Sequence, residues 1–439
     1  MLNEGKILEI LLDYNYWGNY KREFIERTEY VKKIEKFSKG KEIIVIKGVR
    51  RSGKSSLSYF FLRKLIQLGL DPKKVLIINF EDPRLPTIIS LSEANRIFET
   101  YLKNVEKDPK FIMLDEVQYL QGWERFVRFL SETKNIKVIV TGSSSKLMSE
   151  EYSSTLTGRH LDIEVFPLNF REFLKFKNVE LREDIDVVKK RIEIRKLFDE
   201  YSAWGGFPEV VLAESKERKS ELLRTYFNDI LLKDIVKRYK IKKVNELENL
   251  ARLYISNIST IQSFRKLKEL LNISLESVER FSKYIAIARL FIFLDNFSFS
   301  VKEQVRSKKK VYTIDLGLYK IHGFKTSENI GRVMENIVMI SLAEKMEFNP
   351  LLKVFYLKSY DFEVDFVLKE GIKIKQIIQV TYASSKDEVE NREIRNLVRA
   401  SNQLRCKNLL VITWDYEDEI KVKNKRIFFK PLWKWLLES

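Results

Sequence analysis

The sequence predicts an α/β fold. A mostly parallel sheet carries a glycine-rich phosphate-binding loop, and a helical lid, a winged-helix domain and a small second α/β domain follow it. Three observations predict this. Five short β-rich runs, Ile43–Lys47, Val75–Phe80, Phe111–Asp115, Lys137–Thr141 and Asp162–Phe166, alternate with helix-patterned segments. Such alternation makes a parallel sheet covered on both faces. Gly48-Val49-Arg50-Arg51-Ser52-Gly53-Lys54-Ser55 lies between the first run and a helix-like segment, Ser56 to Leu68. From Pro167 the pattern turns helical, and from about residue 328 it returns to α/β. The expected divisions are 1–166, 167–240, 241–325 and 326–439, consistent with a length of 439 residues.

In the N-terminal segment, Ile25, Tyr30, Ile34 and Phe37 are helix-spaced and Gly40 is a stop signal. Tyr16, Trp17 and Arg27 are candidates to cover a nucleotide base, with packing under the sheet as the alternative for the aromatics.

The first strand feeds the loop. Gly48 and Gly53 allow a tight turn whose N–H groups face phosphate oxygens, and the following helix adds its positive end. Lys54 is expected to reach the β- and γ-phosphates of ATP, and Ser55 to help hold Mg²⁺. Val49, Arg50, Arg51, Ser52 and Ser56 complete the expected cradle. A buried third strand ends in Asp115-Glu116, two carboxylates that call for a cation. Asp115 is the expected Mg²⁺ ligand and Glu116 the residue that polarises water. The fourth strand ends in Thr141-Gly142-Ser143-Ser144-Ser145. A hydroxyl there, with Ser143 as the candidate, either senses the γ-phosphate or caps a helix. Arg159, in Leu156-Thr157-Gly158-Arg159, either stabilises transition-state charge, in cis or across a subunit interface, or makes a surface salt bridge.

Beyond Pro167, helices are expected at 170–176, 192–201, 221–239 and 244–257, interrupted by the rigid turn Trp204-Gly205-Gly206-Phe207-Pro208. Residues 263–319 read as helix, turn, helix and a hairpin of strands 290–297 and 310–314. The hairpin's link carries Lys302, Arg306, Lys308, Lys309 and Lys310. That is a winged-helix pattern, whose wing would contact phosphates. Glu276 and Glu279 near the start of the second helix argue the other way, and a protein-docking role stays open. The last segment shows a helix from Gly331, strands 353–357, 363–368 and 373–380, a helix 386–404, a strand 408–413 and a Trp-rich final helix.

The net charge is +18, from 80 Lys and Arg against 62 Asp and Glu. It fits a polyanionic partner, DNA first, or equally a lysine-rich surface. The single cysteine, Cys406, excludes an internal disulfide and points to the cytoplasm. The apolar run 285–294 is too short to span a bilayer and is broken by Arg289, so no membrane association is expected.

Several phrases go together: the phosphate loop, Asn79-Phe80-Glu81-Asp82-Pro83-Arg84, Leu114-Asp115-Glu116-Val117-Gln118, Thr141-Gly142-Ser143-Ser144, Gly158-Arg159, Gly206-Phe207-Pro208, Glu335-Asn336 and Glu363-Val364-Asp365-Phe366. In them the chain resembles the archaeal and bacterial P-loop ATPases that join an AAA-type ATPase domain to a C-terminal domain of uncharacterised function. The resemblance implies a P-loop NTPase using ATP and Mg²⁺ as a conformational switch. The Gly-Phe-Pro turn is similar to one in signal-transduction and origin-recognition ATPases, which makes Pro208 a nucleotide-contact candidate. The C-terminal part resembles the restriction-endonuclease-like core. There Asp365 matches the strand carboxylate and Glu335 the helix acid. Gln379 and Thr381 stand where active members have Glu and Lys, which implies a vestigial nuclease fold; Lys375 and Tyr382 are the available substitutes for the lysine. The expected activity is therefore a Mg²⁺-dependent ATPase acting on or regulated by DNA. The alternatives are a protein-signalling ATPase and an ATP-regulated nuclease, and the expected partners include a homo-oligomer or a protein docked on the C-terminal domain.

Overall fold

The computed structural model describes residues 3–143, 156, 158–324 and 329–438. The chain forms two compact units, Met1–Val165 and Phe166–Ser439.

The first unit is built on β1 (Ile43–Gly48), β2 (Val75–Asn79), β3 (Phe111–Asp115), β4 (Lys137–Thr141) and β5 (His160–Val165). All pair in parallel, in the order β2-β3-β4-β1-β5. Alternate residues of each strand enter different cores. Ile43 and Val45 join Leu76, Ile78, Ile112 and Val138 on one face, and Ile44 and Ile46 join Ile77, Met113 and Ile139 on the other. Burial on both faces explains why the strands read as continuous apolar runs. The edge of β2 is closed by side chains, Asn15 foremost. Asn15 Oδ1 accepts from Ile77 N–H at 2.7 Å, and its Nδ2 donates to Ile77 O at 2.8 Å, imitating a neighbouring strand. Helices Glu4–Tyr14 and Thr28–Ser38 precede β1 and make up the helical lead-in that residues 1–40 lead one to expect.

In the second unit the expected helix 221–239 is interrupted. A regular helix, Lys216–Asp229, gives way to wide turns over Ile230–Val236. Helices Val244–Ser256, Phe264–Leu271 and Leu275–Ile287 follow. A small antiparallel sheet of β6 (Thr260–Gln262), β7 (Phe291–Leu294) and β8 (Lys309–Thr313) is ordered β6-β8-β7. The β7–β8 link is no free wing. It contains a short helix, Val301–Arg306, and its first part is pinned by Phe297 N–H to Tyr356 O at 2.7 Å and Tyr356 N–H to Asp295 O at 3.0 Å.

The long helix Ile330–Phe348 leads to β9 (Leu352–Lys358), β10 (Glu363–Glu370), β11 (Lys373–Val380), β12 (Leu409–Thr413), β13 (Asp418–Val422) and β14 (Lys425–Pro431). Their order is β13-β14-β12-β11-β10-β9. Helix Asn391–Leu404 covers the sheet, starting five residues later than expected. The hairpin β13–β14 was not anticipated: its strands alternate polar with apolar residues and turn through Lys423-Asn424, both left-handed (φ 47° and 63°). The three regions expected after residue 166 thus share one unit. Among the described residues, no helix is long and apolar enough to cross a membrane.

Candidate functional site

The phosphate-loop residues follow the carboxyl end of β1, where a parallel sheet places ligands. Gly48 packs so closely on the β5 backbone that a Cβ would collide with Val165 O. Arg51 and Gly53 are left-handed (φ 70° and 92°), which turns the loop's N–H groups inward ahead of helix Lys54–Gln67. Val49 and Ser52 are buried, Arg50 is half-buried, and Arg51 and Ser56 are exposed. Lys54 is buried, and its Nζ donates to Val49 O at 3.0 Å and Gly48 O at 3.3 Å. Ser52 Oγ is buried without a hydrogen-bond partner. The loop is braced from behind: Arg27, itself buried, donates to Ser52 O at 3.1 Å and stacks 4.5 Å above the Tyr30 ring. Arg27 therefore supports the loop's backbone. Tyr16 and Trp17 take the packing alternative, donating to Tyr59 O at 2.9 Å and Val75 O at 3.2 Å.

The two carboxylates stand beside this loop. Ser55 Oγ donates to Asp115 Oδ1 at 2.8 Å, and Thr141 Oγ1 donates to the same oxygen. Burial pushes the Asp115 pKa up to about 6, with the charge of Glu116 adding to the effect and the two hydroxyls opposing it. Glu116 is left-handed (φ 54°), an uncommon conformation for a non-glycine residue. Its N–H donates to Thr141 Oγ1 at 3.2 Å, and its carboxylate accepts from Gln118 Nε2. Nearby, Asp82 is buried and gripped by Arg84 at 2.7 and 3.0 Å. Burial opposes its charge, but the guanidinium and the Arg84 N–H outweigh that and lower its pKa.

Beside the expected Ser143, Thr141 supplies a functional hydroxyl that sequence reasoning does not single out. Ser143 is buried two residues further on; Ser144, Ser145 and Thr157 lie outside the described residues. The signal for Thr141 was its place as the last residue of β4, the neighbour of β3.

For Arg159 the structure shows the salt-bridge alternative and argues against action within the same chain. Arg159 immediately precedes β5, whose His160 pairs with Ile43 at the start of β1, while Val165 pairs with Gly48 at the loop. Six residue steps, roughly 20 Å, separate Arg159 from the loop end of the sheet. Its Nε meets Glu132 Oε1 at 2.6 Å with both side chains about half exposed. It does not reach a phosphate held by the same chain.

Pro208 belongs to the second unit, where it is the first residue of helix Pro208–Leu212. The turn before it is held by Asp315, which accepts from Gly206 N–H at 2.6 Å and Gly317 N–H at 2.8 Å. Gly205 is left-handed (φ 75°), and a Cβ there would strike the Asp315 carboxylate.

The structure brings Glu335, Asp365 and Gln379 together, and adds a residue that sequence reasoning placed elsewhere. Gln379 Nε2 and Val380 N–H donate to Asp365 Oδ2 at 2.8 and 3.0 Å. Lys310 Nζ lies 2.8 Å from Glu335, 3.0 Å from Asp365 and 3.2 Å from Glu363. Lys310 is thus a buried residue and not a wing cation, and Lys309 is paired with Asp295. Of the five basic residues expected on the wing, Lys302, Arg306 and Lys308 are exposed. Lys375, a candidate replacement lysine, pairs with Glu370 at 2.9 Å, and Tyr382 is half exposed. Among the described residues, no group of acidic, histidine or cysteine side chains is arranged to hold a metal ion.

Comparison with known families matches residues 40–174 to an AAA domain and residues 195–328 to a domain of unknown function (DUF8612). The chain is 35% identical over 407 residues to the uncharacterized protein MJ1544 of Methanocaldococcus jannaschii, covering 90% of this chain and 88% of that one. It is 26% identical to an uncharacterized protein of Haemophilus influenzae, covering 94% of this chain and 99% of that one. Among solved structures, the Walker-type ATPase paby2304 of Pyrococcus abyssi aligns with 68% of this chain and 95% of its own, at 13% identity and a TM-score of 0.46.

Proposed function

The chain belongs to the family of the uncharacterized M. jannaschii protein MJ1544 and carries an AAA domain, and from there we propose that it is a Mg²⁺-dependent ATPase working as a switch. One observation carries the reading: the Ser55 hydroxyl and the Asp115 carboxylate meet at 2.8 Å beside the phosphate loop, with Glu116 next in sequence. The fit of ATP and Mg²⁺ is supported by the unpartnered buried Ser52 Oγ, by a lysine ammonium resting on loop carbonyls, and by the hydroxyl–carboxylate pair. Loop N–H groups and Lys54 would bind the β- and γ-phosphates, and Ser55 and Asp115 would hold Mg²⁺. Mg²⁺, when bound, supplies neutralisation of phosphate charge. Glu116 accepts a proton from the attacking water, and Thr141 keeps Asp115 and Glu116 in place through one hydroxyl. In this reading Arg159 takes no part in hydrolysis by its own chain, and the role left to it is toward a nucleotide held by a second copy. Pro208 is proposed as the lid contact that registers nucleotide state.

DNA is the proposed regulator or target. The +18 charge, the helix–turn–helix set between strands of a three-stranded sheet, and the exposed Lys302, Arg306 and Lys308 support this. A nuclease reading is not favoured, because both oxygens of Asp365 already accept protein donors.

The test is steady-state ATP turnover by the full chain with Mg²⁺, with EDTA, and with Mg²⁺ plus duplex DNA. Turnover that needs Mg²⁺ and changes several-fold with DNA is expected. Turnover indifferent to EDTA would remove the metal assignment, and indifference to DNA would leave an ATPase without that regulator.

A further inference from the structure

Lys310 sits in a hairpin strand, yet its ammonium lies inside the carboxylate group of a different sheet. Strand alternation puts Lys310 and Tyr312 on one face of β8. Both are buried against helix Ile330–Phe348. Tyr312 Oη donates to Glu335 Oε1 at 2.6 Å, and Lys310 Nζ lies 2.8 Å from the same oxygen. The next residue of the helix completes the seat. Asn336 Oδ1 accepts from Thr313 N–H and its Nδ2 donates to Thr313 O, each at 2.9 Å. The phrase Glu335-Asn336 therefore grips β8 by side chain and by backbone together.

The opposing sheet is shaped for this contact. The β9–β10 pairing slips between Val364 and Val367, so Asp365 stands in a bulge, a feature that re-aims a side chain. Asp365 Oδ1 accepts from Lys310, and Oδ2 accepts from Gln379 Nε2 and Val380 N–H. Burial alone would drive the Lys310 proton off. Glu335, Asp365 and Glu363 outweigh it and hold the ammonium charged. Three carboxylates face one buried ammonium, with Lys358 on Glu363 from outside at 3.1 Å. Gln379 Oε1 is left buried with no donor, in a residue 8% exposed. One acceptor of the group thus stays unmatched by a protein donor, and a carboxamide oxygen beside carboxylates is a ligand set for a hard cation.

We propose that Lys310 is a built-in cation that plugs a divalent-cation site on the C-terminal sheet. While β8 is seated, the ammonium fills the place between Glu335 and Asp365, and the site stays closed. Unseating β8 withdraws the charge and leaves Glu335, Asp365 and the Gln379 carbonyl to take a hard divalent ion.

The test is a Mn²⁺ titration of the full chain without nucleotide, followed by the free-ion paramagnetic resonance signal. Wild type and Asp365→Asn are expected to take up Mn²⁺ equally. Lys310→Met is expected to gain one Mn²⁺ per chain that wild type lacks. The gain should vanish in Lys310→Met/Asp365→Asn and be absent in Lys310→Arg, which keeps a monocation. Should Lys310→Met fail to fold, Lys310→Met/Glu363→Gln removes one carboxylate with the ammonium and is titrated in its place. An Asp365-dependent Mn²⁺ in wild type would overturn the proposal, and so would a folded Lys310→Met, or a folded Lys310→Met/Glu363→Gln, that gains none.

Discussion

Thr141 Oγ1 serves two neighbours, donating to Asp115 and accepting from the Glu116 N–H. A hydroxyl that orients a metal ligand and the water-activating residue together is worth about 10–100-fold in activity. Thr141→Val, which keeps the shape and β-branching, should lower ATP turnover by about that factor while nucleotide binding stays within a few-fold; unchanged turnover would return the hydroxyl's role to Ser143. His322 allows a pH test. It stacks on Phe227 at 4.1 Å, and burial lowers its pKa to about 4. A lowered base binds fewer protons folded than unfolded, so stability is full above the unfolded value near 6.5 and falls as pH drops toward 4. With the ring partly solvated, roughly 1 kcal/mol should be lost over that window. Denaturant melts of wild type and His322→Gln should diverge there, and parallel curves would dismiss the assignment. The phosphate loop and Asp115-Glu116 were legible because their chemistry is contiguous in sequence and sits at strand ends. Lys310 was not, since its carboxylates come from positions 335, 363 and 365, and strand alternation alone cannot tell which face meets them.

At the scale of elements, the turn before Pro208 depends on residues more than a hundred positions away. Gly205 has no room for a side chain because Asp315 fills the space. Gly205→Ala must therefore strain the backbone and displace a buried carboxylate. It should cost roughly 2–4 kcal/mol, read from the urea midpoint, whereas Gly331→Ala, in a helix where a Cβ meets only Asn329 Oδ1 at 3.5 Å, should cost much less. Equal costs would mean the turn tolerates rearrangement. The glycine pair and proline announced a rigid turn; that Asp315 holds it was hidden, because nothing local marks a partner. Strand number and parallel pairing followed from the alternation of apolar runs with helical segments. Strand direction decided Arg159: the phrase was recognisable, but only the β1–β5 register shows that it lies at the far end of the sheet. The β13–β14 hairpin escaped notice because its alternation is short and half exposed.

For the whole molecule, two readings of the +18 charge compete: a footprint for DNA or a lysine-rich surface. Salt dependence separates them. If Lys302, Arg306 and Lys308 contact phosphates, changing all three to Gln should weaken duplex binding and flatten the slope of log K against log salt by about 3. An unchanged slope would move any DNA surface away from this segment. Composition was ambiguous because net charge carries no position, and burial has already withdrawn Lys310 from the surface. The central claim, that Lys54, Asp115 and Glu116 form one hydrolytic site with divided roles, is tested most directly by measuring ATP binding and single-turnover hydrolysis together in wild type, Lys54→Ala and Glu116→Gln. The account predicts that Glu116→Gln binds ATP like wild type and hydrolyses it at least a hundredfold more slowly, while Lys54→Ala loses most of its affinity. Hydrolysis at the wild-type rate in both variants would contradict it.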